Sequence, residues 1–570
     1  MWVAGFAIVK FVNGFGVCKP RYLLRKILIS PLNLQPIMKL FPPSVLLFFC
    51  CSCVLSQTEQ QKVQVQMSEP YENERKRTFV SDMYLDSTGH IYIVKSEDKM
   101  TAGEVLFGSV ANKNPTVLIE KYTPDLQQIY SYPMQIGDVG NFTTYYRGVY
   151  VVNRRPYYFS SNFNKEDETG YLYRHELGEN GKLVNGVKIA EMESKKGGGR
   201  FNIIFSPDST LLAVVSRPAV KNKKPEELSF RVFDGHFRLV REGAATFPYI
   251  NRDMEVKGLA LTNQGDFGVL ISYEHDRDSR KFAQELFVFP VGESTPRRIQ
   301  IELGDLYLLD FQVVVAKNGD LYGVGLYNEI SQREKFKNGL PPTSLGAAWI
   351  KIDHTDWKPG KPVLNPYLSA TRAFMESRSK MVYGYGFQYF RIFKTWLSDD
   401  GRVYLDMEQD WTTETEGRSL HSVNRQSEMI VLIGYDANGK VVKETIVPHK
   451  ITGGGTSQGL YHIALKKGDK FRFIYNDNAK NFRKEFKTIK DIDAVVAPGS
   501  TGIALKSKKP KVVMCTIDGS GTKTFDSIFD FEDTDVFLHT PDVLDLGAGR
   551  LLVAGSHGRD FRLFKLEIRD

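Results

Sequence analysis

Six stretches of this chain repeat one short plan, and that repetition limits the fold more than any other feature. MYLDSTGHIYIV (83–94), IIFSPDSTLLAVVS (203–216), LALTNQGDFGVLIS (259–272), VVVAKNGDLYGVGL (313–326), TWLSDDGRVYLDM (395–407) and VLDLGAGRLLVAGS (543–556) each read as strand, tight polar turn, strand. The turns carry Gly, Asn or Asp, the residues that best tolerate the positive φ a hairpin needs. A second hairpin follows several of them: LSFRVFDGHFRLVRE (228–242), MIVLIGYDANGKVVKETIV (429–447) and KVVMCTIDGSGTKTF (511–525). Its closing strand is more polar, so the first hairpin is expected nearer a central core and the second toward the rim. Two hairpins make a four-stranded antiparallel unit.

Such units in series, with no sustained helical periodicity between them, predict an all-β chain: a β-propeller of seven or eight four-stranded blades. The expected blades lie near 81–135, 142–190, 199–250, 254–303, 306–366, 389–450, 458–540 and 541–570. The last is too short for four strands. The alternating segment KVQVQM (62–67) suits the missing one, so the ring is expected to close by pairing of N- and C-terminal strands. The turn residues Asp208, Gly265, Gly319 and Gly401 lie 57, 54 and 82 residues apart, wider than compact blades of roughly 40–50 residues. Excursions are expected at 217–227, 328–342, 368–383, 412–426 and 478–492, the third and fifth as short helices.

Phe205-Ser206-Pro207-Asp208 followed by Leu211-Leu212-Ala213-Val214 resembles the repeat of WD-like propellers found in TolB-type periplasmic proteins. No second Ser-Pro-Asp occurs and no blade ends in Trp-Asp. The resemblance implies a propeller and a binding role, and it carries over no catalytic residue.

Cys18, Cys50, Cys51 and Cys53 all precede residue 54, which leaves Cys515 alone in the body, without an internal disulfide or a thiolate metal cluster. The segment MKLFPPSVLLFFCCSCVLSQ (38–57) has one Lys, an apolar run and a small Ser56 before Gln57, the form of a secretory signal. Residues 1–37 read as an upstream extension, 38–56 as the signal peptide, 57–80 as a lead-in holding the closing strand and 81–570 as one propeller domain. An uncleaved anchor, or a lipid on Cys53, are the alternatives, and Cys53 is the only expected tie to a membrane. The expected location is therefore periplasm, cell envelope or extracellular space. Removing residues 1–56 takes away six cations and no acid, so the formal net charge of +8 falls to +2. A nucleic-acid partner loses its electrostatic basis.

The motifs that carry chemistry are weak. Gly455-Thr456-Ser457-Gln458-Gly459 matches G-x-S-x-G, and His449 and His462 lie near it, but a strand follows where a nucleophile elbow needs a helix. The triple glycines at 197–199 and 453–455 read as linkers rather than phosphate loops. Asp406, Glu408 and Asp410, and the set Asp526, Asp530, Asp533 and Asp535, lack the order of a calcium loop; alternation puts the first set on one solvated strand face. The ten histidines show no ligand spacing, His354 reads as a turn residue, and KNKK (221–224) and KSKKPK (506–511) read as solvated loops. No metal and no cofactor is expected.

MVYGYGFQYFRIFKTW (381–396) is the strongest binding candidate. Tyr383, Tyr385, Phe387 and Tyr389 share one face if extended. That face serves either packing between blades or a platform for a sugar or peptide, with Arg391 and Trp411 beside it. The expected function is an exported, monomeric, non-catalytic propeller engaging a protein or polysaccharide. The alternative is a propeller hydrolase or lyase whose acids and bases come from separate blades to the central tunnel.

Overall fold

Continuous apolar strands such as Leu211-Leu212-Ala213-Val214-Val215 need cover on both faces, and the fold supplies it by stacking sheets around a ring. The computed structural model describes residues 62–569, apart from 74–77, 98–115, 138–143, 195–198, 220–223, 251–253, 277–280, 330–343, 380–389, 417–420, 455–460, 497–509, 535 and 558. Eight sheets follow one another, each with a four-stranded antiparallel meander; two carry a short fifth strand, Val495–Val496, parallel to Ile451 and Thr452, and Tyr71–Glu72. Seven of them occupy 78–133, 144–193, 199–250, 254–301, 306–366, 390–454 and 462–530, numbered here as blades 1 to 7.

Blade 8 is built from both ends of the propeller. Phe537–Gly547, Arg550–His557 and Asp560–Ile568 form three strands, and Val63–Met67 adds the fourth, antiparallel from Val63 opposite Ile568 to Met67 opposite Phe564. The eight-blade reading and the closing strand KVQVQM are both borne out.

Each pair of neighbouring blades shares its own apolar cluster. In the second strand of blade 3, Leu212 and Val214 pack toward blade 2 while Ala213 and Val215 pack toward blade 4. The cluster of Val80, Ile91, Ile93, Tyr122, Leu552, Ala554 and Leu563 joins blade 1 to blade 8 and completes the circle. A charged staple reinforces that seam. Lys95, 1% exposed, pairs with Glu120 at 2.8 Å, donates to Asn73 Oδ1 at 3.0 Å and lies over the Phe561 ring.

Within the first hairpin the innermost strand is the less buried: Gly199–Phe205 is half-exposed where Leu211–Pro218 is buried, because the inner edge faces the tunnel. Two expectations need correction. Segment 412–426 is no excursion in its paired part, since Val403–Glu416 and His421–Tyr435 run on as a long hairpin with Glu414 opposite Val423. Gly453 and Gly454 are strand residues opposite Arg425 and Asn424, not a linker. The helix expected in 368–383 is present as Ser369–Ser379, and 478–492 carries the 3-10 turns Ala479–Asn481 and Ile489–Asp491.

The turns also hold blade to blade. Asn365 of blade 5 donates to Gly439 O at 2.9 Å and accepts from Val441 N at 3.2 Å, which ties it to the outer turn of blade 6. Gly439 has φ +80, and a Cβ there would enter the Trp349 ring of blade 5. Gly468 shares the left-handed conformation, with φ +59, but faces open space. Gly468→Ala is expected to cost about 1 kcal/mol of backbone strain. Gly439→Ala is expected to cost about 2–4 kcal/mol, strain plus overpacking, measured as the shift in a urea unfolding curve.

Candidate functional site

The innermost strands of six blades break register at a similar level. The bulges fall between Val80 and Asp82, Tyr146 and Gly148, Val256 and Gly258, Leu308 and Asp310, Ile392 and Lys394, and Leu538 and Val543. A bulge leaves backbone groups outside the ladder and re-aims side chains. Here it turns them toward the next blade at the tunnel wall.

In blade 5, Asp310 accepts from Ile392 N of blade 6 at 2.9 Å, while Gln312 donates to Ile392 O at 3.1 Å and accepts from Thr395 at 3.0 Å. Lys394 takes the corresponding place in blade 6 and donates to Ala464 O of blade 7 at 3.0 Å. In blade 1, Asp82 accepts from the Tyr146 hydroxyl of blade 2 at 2.7 Å. Asp542 lies within the bulge of blade 8.

The three carboxyls are half-exposed and electrostatically uneven. Burial pushes the Asp82 carboxyl up to about 6 against the hydrogen bonds from Tyr146 and Val149. Burial, then the charge of Asp82, pushes Asp542 up to about 6 as well. Burial also raises Asp310, but there the Ile392 N–H and the charges of Lys257 and Arg391 oppose it. One side of the tunnel thus holds two carboxyls, on blades 1 and 8, that burial raises, and the other holds an acid facing cations.

Behind the wall, between blades 6 and 7, lies a fully buried polar cluster. Asp406 and Glu408 come from the second strand of blade 6, Ser427 and His449 from its third and fourth, and His462 from the innermost strand of blade 7; all are 0% exposed. His462 bonds Asp406 through Nε2 at 2.7 Å and Glu408 through Nδ1 at 3.0 Å. Burial opposes its proton, but the two carboxylates outweigh burial and lift it to about 10. Burial pushes His449 down to about 4. Strand alternation rightly puts Asp406 and Glu408 on one face; that face meets blade 7, not solvent, which corrects the sequence reading.

The cluster is not a hydrolytic triad. Ser427 Oγ and Glu408 Oε1 both face His449 Nε2 at 3.2 Å, and Nδ1, which an orienting acid must hold, has no partner among the described residues. Ser457 lies outside the described residues. Asp320, Asp353 and His354 could together approach an ion, but Lys351 already bonds Asp320 at 2.7 Å, and His354 sits in its turn with Nδ1 2.9 Å from the same carboxylate.

Of the candidates named from sequence, Tyr383, Tyr385 and Tyr389 lie outside the described residues. The Trp411 backbone pairs with Gln426 in the long hairpin of blade 6, and its side chain lies outside them too. Arg391 is on the innermost strand of blade 6, over the Tyr461 ring at 5.0 Å, and acts on Asp310. The sequence reading missed Asp82, Asp310, Lys394 and Asp542. A signal existed: Asp82, Lys394 and Asp542 precede Gly89, Gly401 and Gly549 by seven residues each.

Two stability tests follow from these charges. His462 is held above its unfolded value of about 6.5, so its contribution is complete below that pH and fades as pH rises toward the folded value. His462→Gln is expected to cost about 3–5 kcal/mol at neutral pH and to flatten the alkaline loss of stability in urea unfolding. Asp542 is raised from about 3.9, so its ionisation works against the fold as pH rises through the window up to the folded value. Asp542→Asn is expected to raise Tm at neutral pH and to leave it unchanged near about pH 4.

No family model matches this chain, and no curated protein sequence matches it. Among solved structures it is similar to a protein of unknown function from Dyadobacter fermentans, at 12% identity and TM-score 0.29 over 73% of this chain and 95% of that one. It is similar to a mutant of the Synechocystis apocarotenoid oxygenase, at 11% identity and TM-score 0.35 over 88% and 95%. The periplasmic gluconolactonase PpgL of Pseudomonas aeruginosa gives 12% identity and TM-score 0.29 over 64% and 85%. These scores are too low to carry an argument, so the assignment as an eight-bladed β-propeller stands on this chain's own strand pairing.

Proposed function

We propose that this chain is an exported, non-catalytic binding propeller that takes a polysaccharide at its central tunnel. The observation that carries the reading is the ring of bulged inner strands, which sets Asp82, Asp310, Arg391, Lys394 and Asp542 at the tunnel wall. Donors and acceptors of both signs around the tunnel suit a ligand rich in hydroxyls, whereas a protein partner favours an apolar centre with a polar rim. The apolar segment before Gln57 supports export. The Ser206-Pro207-Asp208 turn of blade 3 supports a TolB-type repeat.

A second reading has one specific observation in its favour. Asp82 and Asp542 lie on the innermost strands of the adjoining blades 1 and 8, and burial pushes each carboxyl up to about 6, toward the range a general acid or base uses. A hydrolase or lyase would use them on the bound chain.

Isothermal titration of the chain from Gln57 onward with a panel of soluble glycans tests both readings. The binding reading expects saturable affinity, weakened about tenfold or more, or roughly 1.4 kcal/mol, by Asp82→Asn or Arg391→Ala, with the glycan recovered intact. Shortened glycan, formed by the wild type and not by Asp542→Asn, would establish the enzyme reading instead.

A further inference from the structure

We propose a second, separate ligand site: the crevice between blades 1 and 2, at the turn joining the first two strands of blade 2, binds a sugar acid, a hydroxylated monocarboxylate the size of one sugar ring. The crevice is a cavity of about 270 Å³ where the second strand of blade 2 begins and its third strand ends. At liquid density that is room for about nine waters, the size class of a single pyranose.

Its floor is apolar and its rim is polar. Tyr84, Pro156 and Leu177 form the floor, Tyr157 stands at its side, and Arg155 and Glu176 are exposed at the rim. A sugar ring needs this pairing of an apolar surface for its C–H face with hydrogen-bonding groups around its edge.

The chemistry of the ligand follows from which polar groups are already engaged. Asp86, also at the crevice, accepts with Oδ1 from Thr88 N at 2.8 Å, Thr88 Oγ1 at 2.6 Å and His90 N at 3.0 Å, while its Oδ2 lies 3.8 Å from Lys121 Nζ and 3.6 Å from His90 Nδ1, so its own turn and Lys121 engage it. Glu176 accepts from Asn185 with Oε2 at 3.1 Å, which leaves Oε1 for a ligand hydroxyl. Arg155 has no ion pair or hydrogen bond to a side chain among the described residues, and neither has the Tyr157 hydroxyl. An open guanidinium fork selects a carboxylate by two parallel bonds. Tyr157 and Glu176 then select hydroxyls, one as donor and one as acceptor.

The backbone that carries the cation is fixed before any ligand arrives. Val152 pairs with Arg155 across the two-residue turn Asn153-Arg154, both residues at positive φ, and Asn153 donates to Gly235 O of blade 3 at 2.7 Å. The backbone under Arg155 is thus tied to two blades, which lowers the ordering cost of binding.

Saturation-transfer NMR and calorimetry with glucuronate, galacturonate and neutral glucose test the site. Saturable binding of one uronate, little or none of glucose, and about tenfold weaker binding for Arg155→Ala are expected. Arg155→Lys is expected to recover part of the loss, since it keeps the charge but not the fork. Thermal unfolding of both variants confirms the fold, as Arg155 is exposed. The double variant Asp82→Asn, Asp542→Asn is expected to bind the uronate as the wild type does, which separates this site from the tunnel. Absence of saturable binding at millimolar uronate would overturn the proposal. Equal binding of glucose, or a loss caused by the tunnel variant and not by Arg155→Ala, would do so too.

Discussion

Every sheet in this protein is apolar on both faces, and no blade can satisfy that condition alone. Leu212 and Val214 need blade 2 while Ala213 and Val215 need blade 4, and the same holds around the circle. An open array would leave two faces in water, so the burial that stabilises each interface also requires the ring to close. Closure falls on the seam between blades 8 and 1, where the strand Val63–Met67 completes the last sheet and Lys95 joins Glu120 to Asn73 of the lead-in.

Closing eight twisted sheets around an axis crowds the innermost strands, and there regular pairing gives way. Bulges in six of them take backbone groups out of the ladder, and in blade 6 side chains of the preceding blade bond them, as Asp310 and Gln312 bond Ile392. The device that relieves the crowding also loads the tunnel wall with acids and cations. A structural need and a binding surface therefore arise from one feature. The buried cluster of Asp406, Glu408 and His462 plays the complementary part: it joins blade 6 to blade 7 out of reach of solvent.

The candidate site was only partly legible in the sequence. Arg391 stands beside an aromatic run in the sequence and lies on an innermost strand, over the Tyr461 ring; Tyr383, Tyr385 and Tyr389 lie outside the described residues. His449 and His462 drew notice for their nearness to Ser457, yet the partners they have are Ser427, Glu408 and Asp406. Alternation identifies which residues share a strand face. It does not say whether that face meets water or another sheet, and so Asp406 and Glu408 were misplaced.

The hairpins, their turns and the blade boundaries were readable from the chain because each is a local matter, and the closing strand because its alternation is local and the last blade lacks one strand. A turn needs its glycine within a few residues, and a strand shows its period over six or eight. What only the tertiary structure decided lies between blades: Asp310 meets Ile392 across 82 residues, and His462 meets Asp406 across 56. No periodicity spans such distances. The register of one sheet against the next is set by packing and by bulges, and it determines which charges stand at the tunnel and which are sealed behind it.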